Sequence, residues 1–558
     1  MEHVTSQVTK FIESIHLLSQ LQRREAAGTI VAATLAVAAA GGIYSFIQKV
    51  LNKILHILEK LLLRTALKLE ALEDSGCKTV PSSSLLYGST QEYRKDPQKF
   101  VEKWTEEFGP GRAVIDPPST SSLKLMTVVG GQCVREVFYN NDFNFLHGMY
   151  KSFNVSLLLD LDMDPEKEHP LRRIVLKYLQ NNVKAYTPRV VRKLQSASNE
   201  IIGDLSEEKI FPHAYPIMQH AIANASSSVF LGEKLAKDES LVDAFKNITL
   251  ECAAEIPQDN WVYDRFTMLN TWRQRWIGKF SKRLQKRKSQ LYNALKSEVE
   301  ERLTGLETPG WERPQDILQD LIEDCIKNPP PIEMIQHLTD LTIHLIFASI
   351  HTTTEISTTV LYRLLQHPEL IPELLEEQDQ VLHSFLGEDV VKSTDDAATL
   401  FTYDVVHNLP KLDSLCRESI RLRNDYLIMS HKYIGKNKFT FSNGAVIKPG
   451  EYIIINSWYN HRAEEVQQDN TDDHFEFQPF RYANLPDRQA TKIGSDYLIF
   501  GLGKNACPGR WFALQEIKTV VSFFIRQYEI SNTNGIIFPN IHQKAMPLGN
   551  IVVKKRSS

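Results

Sequence analysis

The 558-residue chain has only six cysteines, at positions 77, 133, 252, 325, 416 and 507, and none forms a Cys-x-x-Cys pair. That scarcity excludes a disulfide-stapled scaffold and the usual structural zinc site, and it fits a reducing compartment. Neither sign of charge dominates. Lys and Arg number 64 against 68 Asp and Glu, a net charge of −4, so bulk charge gives no reason to expect a nucleic-acid partner. Internal repeats and low-complexity tracts are absent. With 42% hydrophobic and 24% charged residues, the composition is that of a globular protein, not of a disordered, collagen-like or multi-pass membrane chain. The length admits several domains, or one large enzyme domain with an appendage.

One stretch carries no charge at all, Ala26 to Gln48. At about 20 residues per span it is long enough to cross a bilayer. It is alanine-rich, so a buried soluble helix and part of a cleaved signal are the alternatives, although a signal would place a shorter apolar core nearer the terminus. The expected division is an N-terminal segment 1–25, a transmembrane anchor 26–48, and an amphipathic helix with linker over 49–89. Arg23 and Arg24 precede the anchor, while Lys49, Lys53, Lys60, Arg64 and Lys68 follow it. The positive-inside rule then puts the C-terminal side in the cytosol. Val50 to Leu72 has the pattern of an amphipathic helix, lying on the lipid surface or packed on the domain. Gly76 to Ser89 is polar and turn-rich. From 90 to 558 no linker divides the chain, which points to one large domain.

Between Ile332 and His367 there is neither glycine nor proline, and Pro329-Pro330-Pro331 precede the run. Proline suits the first turn of a helix. A helix of that length would span roughly 54 Å at 1.5 Å per residue. Its middle, Leu341 to Ile350, is apolar on most faces and should be buried. Strand-like runs are few, Lys438 to Ile447 and Tyr452 to Asn456. The expected fold class is mainly α with a minor β-sheet.

The most informative segment is Phe500-Gly501-Leu502-Gly503-Lys504-Asn505-Ala506-Cys507-Pro508-Gly509-Arg510. Two glycines permit a tight turn and a close backbone approach to a flat object. After Gly509 the apolar spacing becomes helical, so the thiol stands just before a helix N-terminus. There the dipole and orphan N–H groups favour a thiolate, a good metal ligand. Phe500, Gly503, Cys507, Gly509 and Ala513 together resemble the cysteine signature of the cytochrome P450 family. Three further matches follow. Glu418-Ser419-Ile420-Arg421 resembles the family's Glu-x-x-Arg pair. Phe477 to Tyr482 resembles its aromatic-x-Pro-x-Arg segment, with Arg481 as the arginine. Ala348 to Thr353 resembles its oxygen-activation segment, with Ser349 in place of the usual glycine and His351 in place of the usual acid. The three threonines 352–354 weaken local helix propensity, and a kink there would open room.

The resemblance implies the cytochrome P450 fold and a thiolate-ligated haem b, with Cys507 as the axial ligand and Thr352 and His351 as distal proton carriers. It implies O2 as oxidant and NADPH as electron source through the membrane-bound NADPH-cytochrome P450 reductase. Glu418, Arg421 and Arg481 would be a structural network beneath the haem. Phe500, Gly501, Asn505 and Gly509 would surround the haem, Asn505 at a position that is usually basic. His169 with Arg173, and Lys432, are candidate contacts for the haem carboxylates; His169 and Arg173 equally fit a solvated basic helix face. Phe347, Ala348, Leu427, Ile428 and Met429 are candidate pocket residues, apolar as a lipophilic substrate requires. The style resembles fungal microsomal members, several of which oxidise terpenoids or steroids in secondary metabolism or detoxification. The expected location is the endoplasmic reticulum membrane, single-pass, with the catalytic domain cytosolic. The alternatives are a non-oxygenating isomerase or dehydratase on the same fold, which would often lack Thr352, and a haem-binding sensor without turnover.

Overall fold

The computed structural model describes residues 76–80, 89–115, 126–152, 155–159, 170–255, 267–394, 396–467, 473–540 and 546–556. The chain separates into two units, Met1–Ser75 and Gly76–Ser558. The expected segments 1–25 and 26–48, and most of 49–89, lie outside the described residues. Among the described residues, no helix is long and apolar enough to cross a membrane.

The run without glycine or proline forms one helix, Met334–Gln366. It starts where the Glu333 side chain accepts from the N–H groups of Ile335 and Gln336, as a capping carboxylate does. It stops at His367, whose successor Pro368 disfavours helical backbone before it. Most of its length is buried, because helices pack around it: Tyr215–Leu231, Lys282–Leu306, Pro410–Arg421 and Arg510–Gln527. The expected break at the threonines does not occur. Thr352, Thr354, Thr358 and Thr359 each donate a hydroxyl hydrogen bond to the carbonyl four residues back, at 2.7–2.8 Å. The polar atoms are thereby satisfied inside the helix and its ladder continues.

The strands are minor, as the scarcity of strand-like runs suggested. A six-stranded mixed sheet runs, in spatial order, Lys78–Thr79, Ala113–Ile115, Met126–Val129, Tyr452–Asn456, Leu427–Tyr433 and Phe143–Asn144. Tyr452–Asn456 is the strand read from sequence. Lys438 to Ile447 is instead a hairpin of two short strands, Phe439–Thr440 and Val446–Ile447. Gly444, at φ +85°, turns the chain between them. Lys78 and Thr79, within the stretch read as linker, pair in parallel with Ala113 and Val114, so the folded unit begins before residue 90. A second sheet joins Lys209–Phe211, Tyr528–Ser531 and Ile551–Lys555.

Strand Leu427–Tyr433 contains a bulge. Ile428 pairs with Ile455, yet His431 pairs with Ile453, and Met429 between them has φ 51°. One extra residue inverts the alternation of side chains beyond it.

One carboxyl in the core has an altered acidity. Glu516, fully buried on helix Arg510–Gln527, accepts from the Ser226 hydroxyl at 3.0 and 3.3 Å. Burial pushes this carboxyl up to about 8, against the pull of the Ser226 hydrogen bond. A carboxyl whose native value lies above its unfolded value stabilises most below the unfolded value. That contribution erodes as pH rises toward 8. Glu516→Gln should therefore gain in melting temperature relative to the parent as pH is raised from about 5 to 8. A difference between the two melting temperatures that stays constant across that window would contradict the assignment.

Candidate active site

Two glycines shape the cysteine loop. Gly501 and Gly503 have φ of +69° and +61°, and a Cβ on Gly503 would stand 2.9 Å from the Phe138 carbonyl oxygen. The turn closes when Cys507 N–H donates to the Phe500 carbonyl at 2.7 Å. Helix Arg510–Gln527 begins three residues later. The thiol sits deep in the protein but on a cavity wall, which is why the residue counts as only half-buried. Burial pushes the thiol up, while the backbone N–H groups of Gly509 and Arg510 and the Arg510 charge pull it down. The net direction is upward. The helix terminus thus helps as expected from sequence but does not by itself make a thiolate, and a cation at the sulfur would complete the task.

The cavity has a volume of about 710 Å³ and lies between the cysteine loop and the long helix. Cys507, Phe500, Asn505 and Gly509 line it on one side, and Ala348, Ser349, Thr352, Thr353, Glu355 and Ile356 on the other. Thr352 donates its hydroxyl to the Ala348 carbonyl at 2.8 Å, which leaves its oxygen able to accept from the cavity. The remaining wall is largely apolar, with Phe145, Leu171, Val175, Phe230 and Leu345 among its members.

Several sequence expectations need correction. Gly501 shapes the turn without lining the cavity. His351 is off the wall as well; its ring nitrogens face Tyr215 and Glu355. Of the five candidate pocket residues only Ala348 faces the cavity. Phe347 packs on the core, Leu427 joins a separate cluster around Tyr426 and Trp458, and Ile428 and Met429 lie at the bulge. His169 lies outside the described residues. Arg173 is turned outward and pairs with Asp324 at 2.7 Å. Its neighbour Arg172 lines the cavity instead and donates to the Ala506 carbonyl at 3.1 Å. Lys432 pairs in the sheet with Asn144, while His431 turns inward because of the bulge. The His431 ring contacts Phe138 and the cavity residue Phe145, and Nδ1 lies 2.7 Å from the Met429 carbonyl. Nε2 is buried with no hydrogen-bond partner among the described residues, and burial lowers the ring to about 4. Arg172, His431, Glu355 and Arg423 were missed from sequence. The cue for the first two was adjacency to Arg173 and Lys432.

Glu418, Arg421 and Arg481 do come together, each side chain wholly buried. Arg421 grips Glu418 with two parallel bonds of 2.8 Å, and Arg481 Nε lies 3.4 Å from the same carboxylate. Arg421 also donates to the carbonyls of His461 and His474, and Arg481 to that of Asp473. The network continues toward the cysteine. His461 Nε2 accepts from the Leu498 N–H at 2.9 Å, two residues before Phe500. Burial, then the charges of Arg462 and Arg421, lower this ring to about 3 and keep it neutral for that bond.

The family model described as Cytochrome P450 matches residues 80–553. Cytochrome P450 monooxygenase 151 of Postia placenta is 27% identical over 380 residues, 65% of this chain and 70% of the relative. Cytochrome P450 monooxygenase eqxH of Fusarium heterosporum is 27% identical over 386 residues, 66% of this chain and 67% of the relative. Cytochrome P450 monooxygenase gliF of Aspergillus fumigatus is 34% identical over 200 residues, 34% of this chain and 36% of the relative. Retinoic acid-bound cyanobacterial CYP120A1 superposes with a TM-score of 0.61 at 19% identity, covering 86% of this chain and 99% of that one, a likeness of fold. Family membership implies haem, O2 and an electron donor. A match that spans nearly the whole of the folded unit is decisive: the chain belongs to the cytochrome P450 family and is an oxidoreductase of its monooxygenase class.

Proposed function

We propose that this enzyme hydroxylates or epoxidises a lipophilic small molecule of terpenoid or steroid type, in secondary metabolism or detoxification. It would use haem b, O2 and electrons from NADPH delivered by NADPH-cytochrome P450 reductase. Its anchor, residues 26–48, would hold it in the endoplasmic reticulum membrane with the catalytic domain in the cytosol. The observation that carries the reading is one cavity with the Cys507 sulfur on one wall and the Thr352 hydroxyl on the wall that faces it.

The residues fit a haem. The sulfur stands among donors that favour its anion. Arg172 at the cavity wall offers a guanidinium, and Lys504, which hydrogen-bonds Asn141, adds an ammonium. Both suit carboxylates. His431 holds its Nδ1 proton on the Met429 carbonyl, so Nε2 is an acceptor in the neutral ring. A nearby carboxylate would draw a proton onto Nε2 and turn it into a donor. When bound, haem supplies the redox-active iron at which O2 is activated. The chain does the rest. Cys507 would ligate the iron, and Arg510 and the N–H groups of Gly509 and Arg510 would stabilise the charge on sulfur. Phe145, Leu345 and Ile356 would exclude water and favour an apolar substrate. Thr352 would accept and pass protons at its hydroxyl oxygen. Retention of that hydroxyl on the wall argues against the isomerase or dehydratase reading.

Three outcomes are expected. Titration of the purified holoenzyme with a panel of steroids and terpenoids should shift the Soret band to the blue as a fitting ligand expels water; no shift across the panel discards this substrate class. Thr352→Ala should lower product formed per NADPH by roughly one to two orders of magnitude, with peroxide released instead. Unchanged coupling would remove the threonine's role. Arg172→Ala and His431→Phe should each speed haem loss to apomyoglobin about tenfold or more, the worth of one charge-assisted hydrogen bond. Arg173→Ala and Lys432→Ala should not; equal effects from all four would refute the distinction.

A further inference from the structure

Glu355 is one turn beyond Thr352 on the long helix, and both line the cavity. Its carboxylate is nearly withdrawn from solvent, and its two oxygens serve different partners. Oε1 lies 3.2 Å from Nε2 of His351. Oε2 accepts from Arg423 Nη2 at 3.1 Å. Arg423 also lines the cavity and holds Asp425 at 3.7 Å. On its other side the His351 ring meets the Tyr215 hydroxyl at 2.7 Å through Nδ1, and 31% of its side chain is exposed. One carboxylate therefore stands between a partly exposed imidazole and the cavity.

The partners suit proton transfer. Burial, and then the Glu355 charge, raise the Tyr215 phenol above its usual value, so it keeps its proton. Its hydroxyl occupies Nδ1 of the neutral ring and leaves the ring proton on Nε2, the nitrogen 3.2 Å from Glu355 Oε1. For Arg423 burial opposes the charge, but the Asp425 and Glu355 carboxylates outweigh it and hold the guanidinium above its usual value. Asp425 shares that cation. Glu355 can then take up a proton without leaving Arg423 as an unpaired buried charge.

We propose that Glu355 is the group that carries protons into the cavity, with His351 as its solvent-side donor. This rests on the oxygen-activating reading above. A solvent-protonated His351 ring gives its Nε2 proton to Glu355 Oε1, which yields a neutral imidazole and a carboxylic acid. The acid releases that proton to the cavity side, where Thr352 stands, and becomes a carboxylate again. The first transfer leaves the ring proton on Nδ1 with the Tyr215 hydroxyl turned from donor to acceptor, and the ring returns to its starting tautomer by taking a solvent proton at Nε2 and releasing the Nδ1 proton to solvent. One proton crosses per cycle, only N–H and O–H bonds change, and no oxidant or reductant enters. The acid that the resemblance looks for beside the threonine is thus supplied one turn later.

The test uses the full-length holoenzyme and, as probe, the steroid or terpenoid that gives the largest Soret shift. For Glu355→Gln the optical dissociation constant should stay within about twofold, while product per NADPH falls about tenfold or more and peroxide replaces it. His351→Gln, which keeps a polar side chain facing Tyr215, should uncouple likewise and serves if Glu355→Gln fails to fold. Glu355→Asp should recover part of the loss. A readout without turnover is the ferric-minus-ferrous infrared difference spectrum in H2O and D2O. It should contain a deuterium-sensitive carboxyl band that Glu355→Gln abolishes. Full coupling in Glu355→Gln, or a carboxyl band that survives in it, overturns the proposal. Probe binding weakened tenfold with coupling intact also overturns it and makes Glu355 a substrate-recognition residue. Full coupling in Thr352→Ala, by contrast, would fail the underlying oxygen-activating reading.

Discussion

A carboxylate without water, Glu418, organises the half of the molecule that carries the cysteine. Two guanidinium groups converge on it, and their spare N–H groups are committed to the carbonyls of Asp473, His461 and His474. Charges removed from water are costly unless every donor and acceptor is used. Here that requirement fixes the backbone at His461 and along 473–481. His461, kept neutral by the same burial and the neighbouring cations, passes the constraint to Leu498 and so to the turn that presents Cys507. Removal of one member would leave an uncompensated buried charge, a loss on the order of 3–5 kcal/mol. The network touches neither the cavity nor the sulfur, yet the position of the sulfur depends on it.

The long helix supplies the other wall. Its threonines resolve a local conflict, β-branched side chains in a helix, by hydrogen-bonding to the preceding turn. The wall is therefore a continuous helix on which Ser349, Thr352, Thr353 and Glu355 alternate with Leu345, Ala348 and Ile356. The apolar side chains around these groups strengthen the electrostatic effects between them. His351, Glu355 and Arg423 form a contiguous set next to Thr352, and the proposed proton supply runs through it.

What was legible in the sequence follows from sequence distance. The cysteine loop and the long helix are local patterns, and the fold class, the helix bounds and strand Tyr452–Asn456 were readable from them. Glu418 and Arg421, three residues apart on one helix, were readable as a pair. The errors cluster where one residue of register matters. Arg172 and Arg173 differ by a 100° rotation on one short helical turn, and nothing in composition selects between them. The bulge at Met429 exchanges His431 for Lys432, while Leu427, before it, packs on the cluster around Tyr426 and Trp458. No glycine marks that bulge. Glu355 and Arg423 are 68 residues apart, and their pairing is a property of the tertiary structure.

The central claim is that Cys507 is the sulfur ligand of a bound haem. The most direct measurement is the absorption spectrum of the reduced, carbon monoxide-bound holoenzyme, compared with Cys507→Ser at equal folded protein. The account expects the strongly red-shifted Soret band of a thiolate-ligated haem in the parent and its complete loss in the variant. Survival of that band in Cys507→Ser, or its absence from well-folded, haem-loaded parent protein, would contradict it.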